Sequence, residues 1–251
     1  MQLPPVTPEH LELLAEIKAI LFDLDDTLYD RGGTFYRWAQ AFVRSHLPAA
    51  EHEAALALLC SLDAKGMAPR TALFRAFQET YPGLYEVEAM VETYYAQFPA
   101  YMHHVHLITL LATIVRLRIP IGVVTNGLIR QQEPKIAVLG LDAVTACIVI
   151  SERFGAAKPD PALFLAAAEQ LQVPAEQVLF IGDNPSVDIY GAHQAGMRTM
   201  WVQHDAAWPP DLPYCADLRI QSIAELAVLL SWYRGPQTAG NGPVLEERHE
   251  P

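Results

Sequence analysis

Residues 19–30 read AILFDLDDTLYD, an apolar run of four residues that ends in the carboxylates of Asp23, Asp25 and Asp26. A short apolar run of this kind is typical of a strand buried on both faces of a parallel sheet. Ligands of open parallel sheets bind beyond the carboxyl ends of the strands. Asp23 and Asp25 are two residues apart, so in an extended segment their side chains share a face. The stretch predicts a first strand that ends in a polar site, and an acidic turn or helix cap is the alternative interpretation.

Further apolar runs alternate with helical patterns along the rest of the chain. This alternation predicts an α/β fold, a Rossmann-like doubly wound parallel sheet with helices on both faces. The predicted strands are Ala19–Phe22, Ile121–Val124, Cys147–Ile150, Val178–Ile181 and Thr199–Val202. The predicted helices of this part are Gln132–Leu139, Pro161–Leu171, Ile189–Ala195 and Ile223–Tyr233.

The interval between the first two strands contains no strand pattern. Proline and glycine punctuate four helical stretches there, which predicts an all-helical domain inserted into the sheet domain. The predicted helices are Phe35–His46, Ala50–Asp63, Arg70–Thr80 and Glu86–Gln97. We divide the chain into a core of residues 1–31 and 107–234, an inserted domain of 32–106 and a flexible tail of 235–251. The segments Asp30–Gly33 and Pro99–His106 are the expected hinges, with Gly32 and Gly33 suited to that role.

Polar residues follow the other predicted strands as well. Thr125, Asn126 and Gly127 follow the second strand and can hold phosphate oxygens, although capping of the next helix is at least as good an interpretation. Lys158 follows the third strand and precedes a helix start at Pro161, but most lysines are simply solvated. Asp183 and Asp188 follow the fourth strand and suit a divalent cation, with an Asx-turn and helix cap as the alternative. All of these groups fall at one edge of the predicted sheet.

Composition excludes several classes of protein. The 251 residues are 51% hydrophobic and 18% charged, which argues against disorder. The formal net charge is −12 and Lys and Arg are not clustered, so we expect no nucleic-acid partner. No apolar run reaches the ~20 residues that span a bilayer, so we expect no membrane partner. Three separated cysteines and an acidic N-terminal segment without signal-peptide features favour reduced thiols and a cytoplasmic location.

The order of these motifs resembles the haloacid dehalogenase-like superfamily. The matching elements are DxDxT at 23–27, a threonine after the second strand, Lys158-Pro159 and GDxxxxD at 182–188, and the resemblance covers about residues 18–233. The inserted domain corresponds to the subgroup with a helical cap between the first and second strands. The residues around 22–30 and 182–196 are similar to phosphatases of nucleotides, flavin mononucleotide or sugar phosphates.

The resemblance implies a Mg²⁺-dependent phosphatase with an aspartyl-phosphate intermediate. Asp23 would be the nucleophile, and Asp25 the general acid and base. Thr125 and Lys158 would hold the phosphoryl group, assisted by Asn126 and Gly127. The metal ligands would be Asp23, the backbone carbonyl of Asp25, Asp183 and, directly or through water, Asp188. The partner would be a small phosphorylated metabolite, and the family includes monomers and homodimers.

The chemistry adds one expectation about Asp25. It must be protonated when the first step begins, and we expect the neighbouring carboxylates to favour its neutral form. Asp26 is expected to face elsewhere, and Thr27 to orient the loop by a hydrogen bond.

Three other functions share parts of this pattern. A phosphomutase uses the same four motifs, and the sequence does not separate it from a phosphatase. A 2-haloacid dehalogenase lacks the second aspartate of DxDxT, which Asp25 provides here. A non-catalytic member usually lacks a catalytic residue, and all are present.

Several other features have plain structural interpretations. His103, His104 and His106 indicate a helix start or a hinge surface more readily than a metal site. Tyr94 and Tyr95 favour packing within the cap over stacking on a substrate. Trp38 and Phe42 are four residues apart and form a packing stripe on one helix.

Overall fold

The computed structural model describes residues 8–204 and 206–232, and within them six strands form one parallel sheet. The sheet order is β3-β2-β1-β4-β5-β6. The chain builds outward from β1 to β3 and then returns to the other side of β1, as in a doubly wound sheet. The predicted Rossmann-like α/β class is confirmed. The strands are β1 Ala19–Phe22, β2 Ile121–Thr125, β3 Cys147–Ile150, β4 Val178–Gly182, β5 Arg198–Val202 and β6 Leu218–Ile220.

Helices lie between the strands and on both sides of them within the described residues, and each predicted helix is found there with shifts at some ends. The predicted helix 189–195 is shorter, because a π-helical turn occupies Pro185–Ile189. No bounds were predicted for three helices, α1, α6 and α8, or for the strand β6. The helices are α1 Pro8–Glu16, α2 Arg31–His46, α3 His52–Asp63, α4 Arg70–Thr80, α5 Val87–Gln97, α6 Val105–Leu117, α7 Ile129–Val138, α8 Ser151–Phe154, α9 Pro161–Leu171, α10 Tyr190–Gln194 and α11 Ile223–Trp232.

The two faces of the sheet carry separate hydrophobic clusters. Along β1, Ile20 and Phe22 belong to a cluster that includes Leu110 of α6 and Leu226 of α11. Ala19 and Leu21 point the other way, into a cluster with residues of α9 and α10. Since side chains alternate between faces along a strand, a fully apolar β1 requires this double cover.

Helices α2 to α5 lie between β1 and β2, where the helical insertion was predicted. Trp38 is 0% exposed at the centre of their aromatic core. Its ring centroid is 5.2 Å from that of Phe42 and 4.9 Å from that of Tyr94. The predicted packing of Trp38, Phe42 and Tyr94 is confirmed, and it ties α2 to α5.

The first predicted hinge differs from the structure. Residues 31–33 form the first turn of α2 instead of a linker, because the Asp30 side chain accepts a hydrogen bond from Gly33 N and caps the helix. At the second boundary, a 3₁₀ helix covers Phe98–Tyr101 and α6 begins at Val105, which confirms the predicted helix start near the histidines. The tail 235–251 lies outside the described residues.

Among the described residues no single helix is long and apolar enough to cross a membrane. One pair of consecutive helices, Val87–Tyr101 and Val105–Leu117, meets the length and composition together but is bent by 65°.

Candidate active site

Asp23 and Lys158 form a buried ion pair at the centre of the sheet edge. Asp23 follows β1, which lies between β2 and β4. Lys158 Nζ lies 2.6 Å from Asp23 Oδ1 and 2.7 Å from Asp188 Oδ1, and it donates to Val124 O at 2.9 Å. Burial disfavours the ammonium, but the two carboxylates outweigh this effect and raise the pKa of Lys158. The lysine is therefore a fixed positive charge beside the predicted nucleophile.

The carboxylates of Asp183 and Asp188 join Asp23 in one group at the sheet edge where the sequence predicts a metal site. Oxygen atoms of Asp23, Asp183 and Asp188 lie within 4.8 Å of one another, and no other group of three His, Cys, Asp or Glu in the described chain does so. Burial raises the pKa of Asp23 to about 7, against the lowering effect of Lys158. Burial and the charges of Asp188 and Asp23 raise the pKa of Asp183 to about 8. Such a surplus of buried negative charge, on oxygen ligands only, fits a hard divalent cation.

Asp188 also organises the loop around the site. Its Oδ2 accepts a hydrogen bond from Asn184 N at 3.0 Å, while its Oδ1 faces Lys158. The close fold is possible because Gly182 has no side chain: a Cβ there would lie 2.5 Å from Asp188 Cβ. The glycine of the GDxxxxD motif thus lets Asp188 pack against the end of β4.

Asp25 has an environment that the sequence did not predict. Lys135 Nζ of α7 lies 2.6 Å from its Oδ1 and 2.9 Å from its Oδ2. Tyr29 Oη also donates to Oδ1, and Gln132 Nε2 donates to Oδ2 at 2.9 Å. Burial alone would raise the pKa of Asp25, but Lys135 and the two hydrogen bonds lower it to about 2.

This environment corrects the expectation that neighbouring carboxylates keep Asp25 neutral. The dominant charge beside Asp25 is the ammonium of Lys135, which favours the ionised carboxylate. An ionised Asp25 is ready to accept a proton, whereas it must first gain one before it can act as an acid.

Thr125 is held by the same helix that holds Asp25. Its side chain is buried at the end of β2, where Oγ1 accepts a hydrogen bond from Gln132 Nε2 at 2.6 Å. Because Gln132 occupies the acceptor side of the hydroxyl, the Thr125 proton is left for another oxygen. Thr125 lines the same crevice as Asp23 and Lys158, which is where a phosphoryl oxygen would lie.

Asn126 and Gly127 line the crevice, but their predicted donors are bonded to protein atoms. Asn126 Nδ2 donates to Lys158 O at 3.0 Å, and Asn126 Oδ1 accepts from Lys158 N at 2.8 Å. Gly127 N donates to Ser151 Oγ at 2.9 Å. The side chain of Asn126 therefore fixes the backbone of Lys158, and its contact with phosphate stays a prediction.

Asp26 and Thr27 continue the DxDxT motif, and both differ from what the sequence predicts. The expectation that Asp26 faces elsewhere is wrong, because Asp26 lines the crevice. Its Oδ1 accepts hydrogen bonds from Arg31 N at 2.9 Å and Gly32 N at 3.1 Å, at the start of α2. The expectation for Thr27 is wrong: within the part of the chain that the structure describes, its buried Oγ1 has no hydrogen-bond partner.

Residues of the helical insertion close the crevice opposite the sheet. Lys65, Gly66 and Met67 line it, together with Arg31 at the start of α2. Asp63 holds this segment: its carboxylate pairs with the guanidinium groups of Arg31 and Arg70 and accepts from Gly66 N at 3.0 Å. The insertion therefore supplies one wall of the site.

A second cavity opens beside the catalytic crevice. The crevice has a volume of about 330 Å³ and the adjoining cavity about 710 Å³. Gly66, Met67, Gly127 and Gln131 line both. Tyr95 lines the larger cavity and is only partly buried, so it packs less completely than predicted, and Arg130 stands over its ring at 4.5 Å. A substrate held at Asp23 can extend into this space.

The predicted histidine cluster lies elsewhere. His103, His104 and His106 line another cavity of about 390 Å³ with His204. In residues 8–204 and 206–232 these histidines form no group with metal-ligand spacing.

Comparisons with known proteins identify the family. Residues 20–202 match the model of the haloacid dehalogenase-like hydrolases. The chain is 30% identical to a phosphoserine phosphatase of Thermus thermophilus over 78% of this chain and 79% of the relative. It is 31% identical to an N-acetylmuramic acid 6-phosphate phosphatase of Pseudomonas aeruginosa, over 85% and 95% respectively.

A solved structure shares the fold of this chain. The crystal structure of a haloacid dehalogenase-like phosphatase from Thermococcus onnurineus matches with a TM-score of 0.60 and 22% identity, over 87% of this chain and all of the other. The chain belongs to the haloacid dehalogenase-like hydrolase family. The two relatives named above are phosphatases, and this chain is a phosphoric monoester hydrolase of the same family.

For this haloacid dehalogenase-like hydrolase, the structure brings all of the predicted site residues to one sheet edge. The sequence analysis missed three residues that contact Asp25, namely Tyr29, Gln132 and Lys135. Tyr29 lies four residues after Asp25, a spacing that could have suggested the contact. Gln132 and Lys135 lie more than a hundred residues away, and no local signal marks them.

Proposed function

We propose that this hydrolase removes phosphate from a small phosphomonoester with Mg²⁺ and an aspartyl-phosphate intermediate. The observation that carries the proposal is the buried contact of 2.6 Å between Lys158 Nζ and Asp23 Oδ1 within a three-carboxylate group. A carboxylate that attacks a phosphate dianion meets strong repulsion, and positive charge at the point of attack relieves it.

The metal would be held by Asp23, Asp183, Asp188 and the carbonyl of Asp25. When bound, it supplies charge neutralisation for the phosphoryl oxygens. Mg²⁺ is our proposal because the side-chain ligands are all carboxylates, which this hard cation prefers.

The residues of the chain divide the reaction into two steps. In the first, an Asp23 oxygen bonds to phosphorus as the bond to the leaving group breaks, while Lys158 and Thr125 hold the phosphoryl oxygens. In the second, water attacks phosphorus, Asp25 takes its proton and the bond to Asp23 breaks. The ionised Asp25 fits the second step directly. In the first step, an alkoxide leaving group requires Asp25 to gain a proton as the substrate binds.

The leaving group is proposed to be larger than a three-carbon unit. The cavity of about 710 Å³ beside the crevice gives it space, with Tyr95 and Met67 as apolar walls and Arg130 as a cation. A nucleotide, flavin mononucleotide or a sugar phosphate matches this combination. We also propose a cytoplasmic location, supported by the three free thiols.

The experiment is an assay of inorganic phosphate release from nucleoside monophosphates, flavin mononucleotide, sugar phosphates, phosphoserine and phosphoglycolate. We expect release with Mg²⁺, none with EDTA, and none from Asp23→Asn or Asp183→Asn. Asp142→Asn is the matched control because Asp142 is exposed and lies outside the crevice. Release by Asp23→Asn would refute the mechanism. A sugar phosphate that isomerises without phosphate accumulation would identify a mutase instead.

A further inference from the structure

Lys135 is a buried lysine outside the phosphate-binding set. Lys135 lies on α7 and is 1% exposed, and its Nζ contacts both oxygens of Asp25 at 2.6 and 2.9 Å. The ring of Phe98 lies 5.6 Å from the same Nζ. A buried ammonium is costly unless it is paired, so this lysine depends on Asp25 for its stability in the fold.

The carboxylate of Asp25 is in turn fixed on both oxygens. Tyr29 and Lys135 contact Oδ1, while Gln132 and Lys135 contact Oδ2. Rotation of the carboxylate about its Cβ–Cγ bond would break at least one of these contacts. The orientation of Asp25 is therefore set by α7 from one side and by Tyr29 from the other.

Asp25 connects Lys135 to the crevice. Asp25 lines the crevice, whereas Lys135 is not among the lining residues in the described part of the chain. Lys158, by contrast, lines it and contacts Asp23. The two buried lysines thus have separate places: Lys158 beside the nucleophile, Lys135 behind the residue that handles protons.

We propose that Lys135 is a positioning residue that holds the Asp25 carboxylate for the hydrolysis of the aspartyl phosphate. The inference rests on the proposed function, and it assigns Lys135 to the second step. In that step an oriented carboxylate takes a proton from water, while water oxygen bonds to phosphorus and the Asp23–phosphorus bond breaks. Loss of orientation slows this step and leaves the attack by Asp23 in place.

The test uses Lys135→Met with p-nitrophenyl phosphate, whose leaving group departs without a proton. General base catalysis contributes roughly 10²–10⁴-fold, and partial loss of it predicts a fall in kcat of about 10- to 100-fold. Because the first step persists, we expect a burst of p-nitrophenolate close to one equivalent per enzyme and a smaller fall in kcat/KM. We also expect kcat to become equal for all substrates, since hydrolysis of one common intermediate limits them all.

Two further variants separate positioning from a structural role. Arg153→Met is the matched control. It breaks an exposed ion pair between Arg153 and Glu133, which lies on α7 like Lys135, and kcat should not change. Lys135→Met is then repeated in the Asp25→Asn background, where no buried carboxylate is left unpaired. We expect no additional loss of kcat in that background, because Lys135 acts through Asp25. If Lys135→Met alone fails to fold, the comparison of Asp25→Asn with the double variant still tests the positioning role.

The outcomes are distinct. Equal falls in kcat and kcat/KM without a burst, or an additional loss in the Asp25→Asn background, would overturn the positioning role and leave the phosphatase proposal intact. Absence of Asp23-dependent phosphate release from the unaltered protein would instead overturn the proposed function itself.

Discussion

Asp63 of α3 offers a sharp test of what holds the helical insertion in shape. The side chains of Arg31, Arg70 and Asp63 are 3%, 4% and 6% exposed. The Asp63 carboxylate accepts from both guanidinium groups and from Gly66 N. Asp63→Ala removes the only carboxylate that the described structure pairs with either arginine, and so leaves two buried cations.

The expected loss follows from this burial. Removing one partner of a buried ion pair costs about 3–5 kcal/mol, a large part of a total stability of roughly 5–15 kcal/mol. The rings of Phe35 and Tyr94 near the guanidinium groups offset a fraction of it. With a urea m-value of about 2–3 kcal/mol/M, the unfolding midpoint should fall by roughly 1–2.5 M.

Urea titrations followed by circular dichroism measure this loss, with Glu92→Ala as the control. Glu92 pairs with Arg130, and both side chains are more than half exposed. Such a pair contributes about 0–1 kcal/mol. A loss below about 1 kcal/mol for Asp63→Ala, or one equal to that of the control, would refute the reasoning.

The pH dependence provides a second measurement on the same variant. Burial tends to raise the pKa of Asp63, but the bonds from Arg31 and Arg70 outweigh it and lower the pKa below its usual value of 3.8. The stability from Asp63 is therefore present above the pKa of the unfolded state and lost as pH falls through the pKa of the folded state. The difference between the unaltered protein and Asp63→Ala should narrow below about pH 4, and a constant difference would contradict the ion-pair origin.

Two further predictions concern packing at the sheet. Gly182→Ala places a Cβ about 2.5 Å from Asp188 Cβ, so we expect the free energy of unfolding to fall by roughly 1–3 kcal/mol and kcat/KM to be lower. Thermal unfolding and phosphate release measure these two effects. An unchanged melting temperature would contradict the close approach. Burial raises the pKa of the Cys147 thiol to about 11, so iodoacetamide should modify the exposed Cys215 well before Cys147. Peptide mass spectrometry measures the two rates of modification, and equal rates would contradict the burial of Cys147.

The sheet could be predicted because its strands carry their own signal. Ala19–Phe22 is apolar at every position, and this pattern is typical of a strand that is covered on both faces. The place of three site residues could be predicted in the same way, because the carboxyl ends of parallel strands lie at one edge of the sheet. These residues are Asp23, Thr125 and Asp183. The strand β6, by contrast, has three residues at the edge of the sheet with Arg219 exposed, too short a pattern to recognise.

The surroundings of Asp25 could not be predicted in the same way. Lys135 is in a helix with charged and polar neighbours and follows Pro134, which in sequence indicates a solvated lysine. Its burial comes from tertiary packing of α7 against the segment around Phe98. The expectation that Asp25 is neutral failed for the same reason, because it considered only the other carboxylates of the site and missed the ammonium of Lys135, 110 residues away.

The contacts of Lys158 have a consequence for inhibition. All three of its N–H groups are bonded to protein oxygens, those of Asp23, Asp188 and Val124. A ligand that binds Lys158 must therefore displace one of these carboxylates. A phosphate dianion can do so, whereas a neutral alcohol cannot. The dephosphorylated alcohol should leave freely, and inorganic phosphate should be the product that competes with the next substrate.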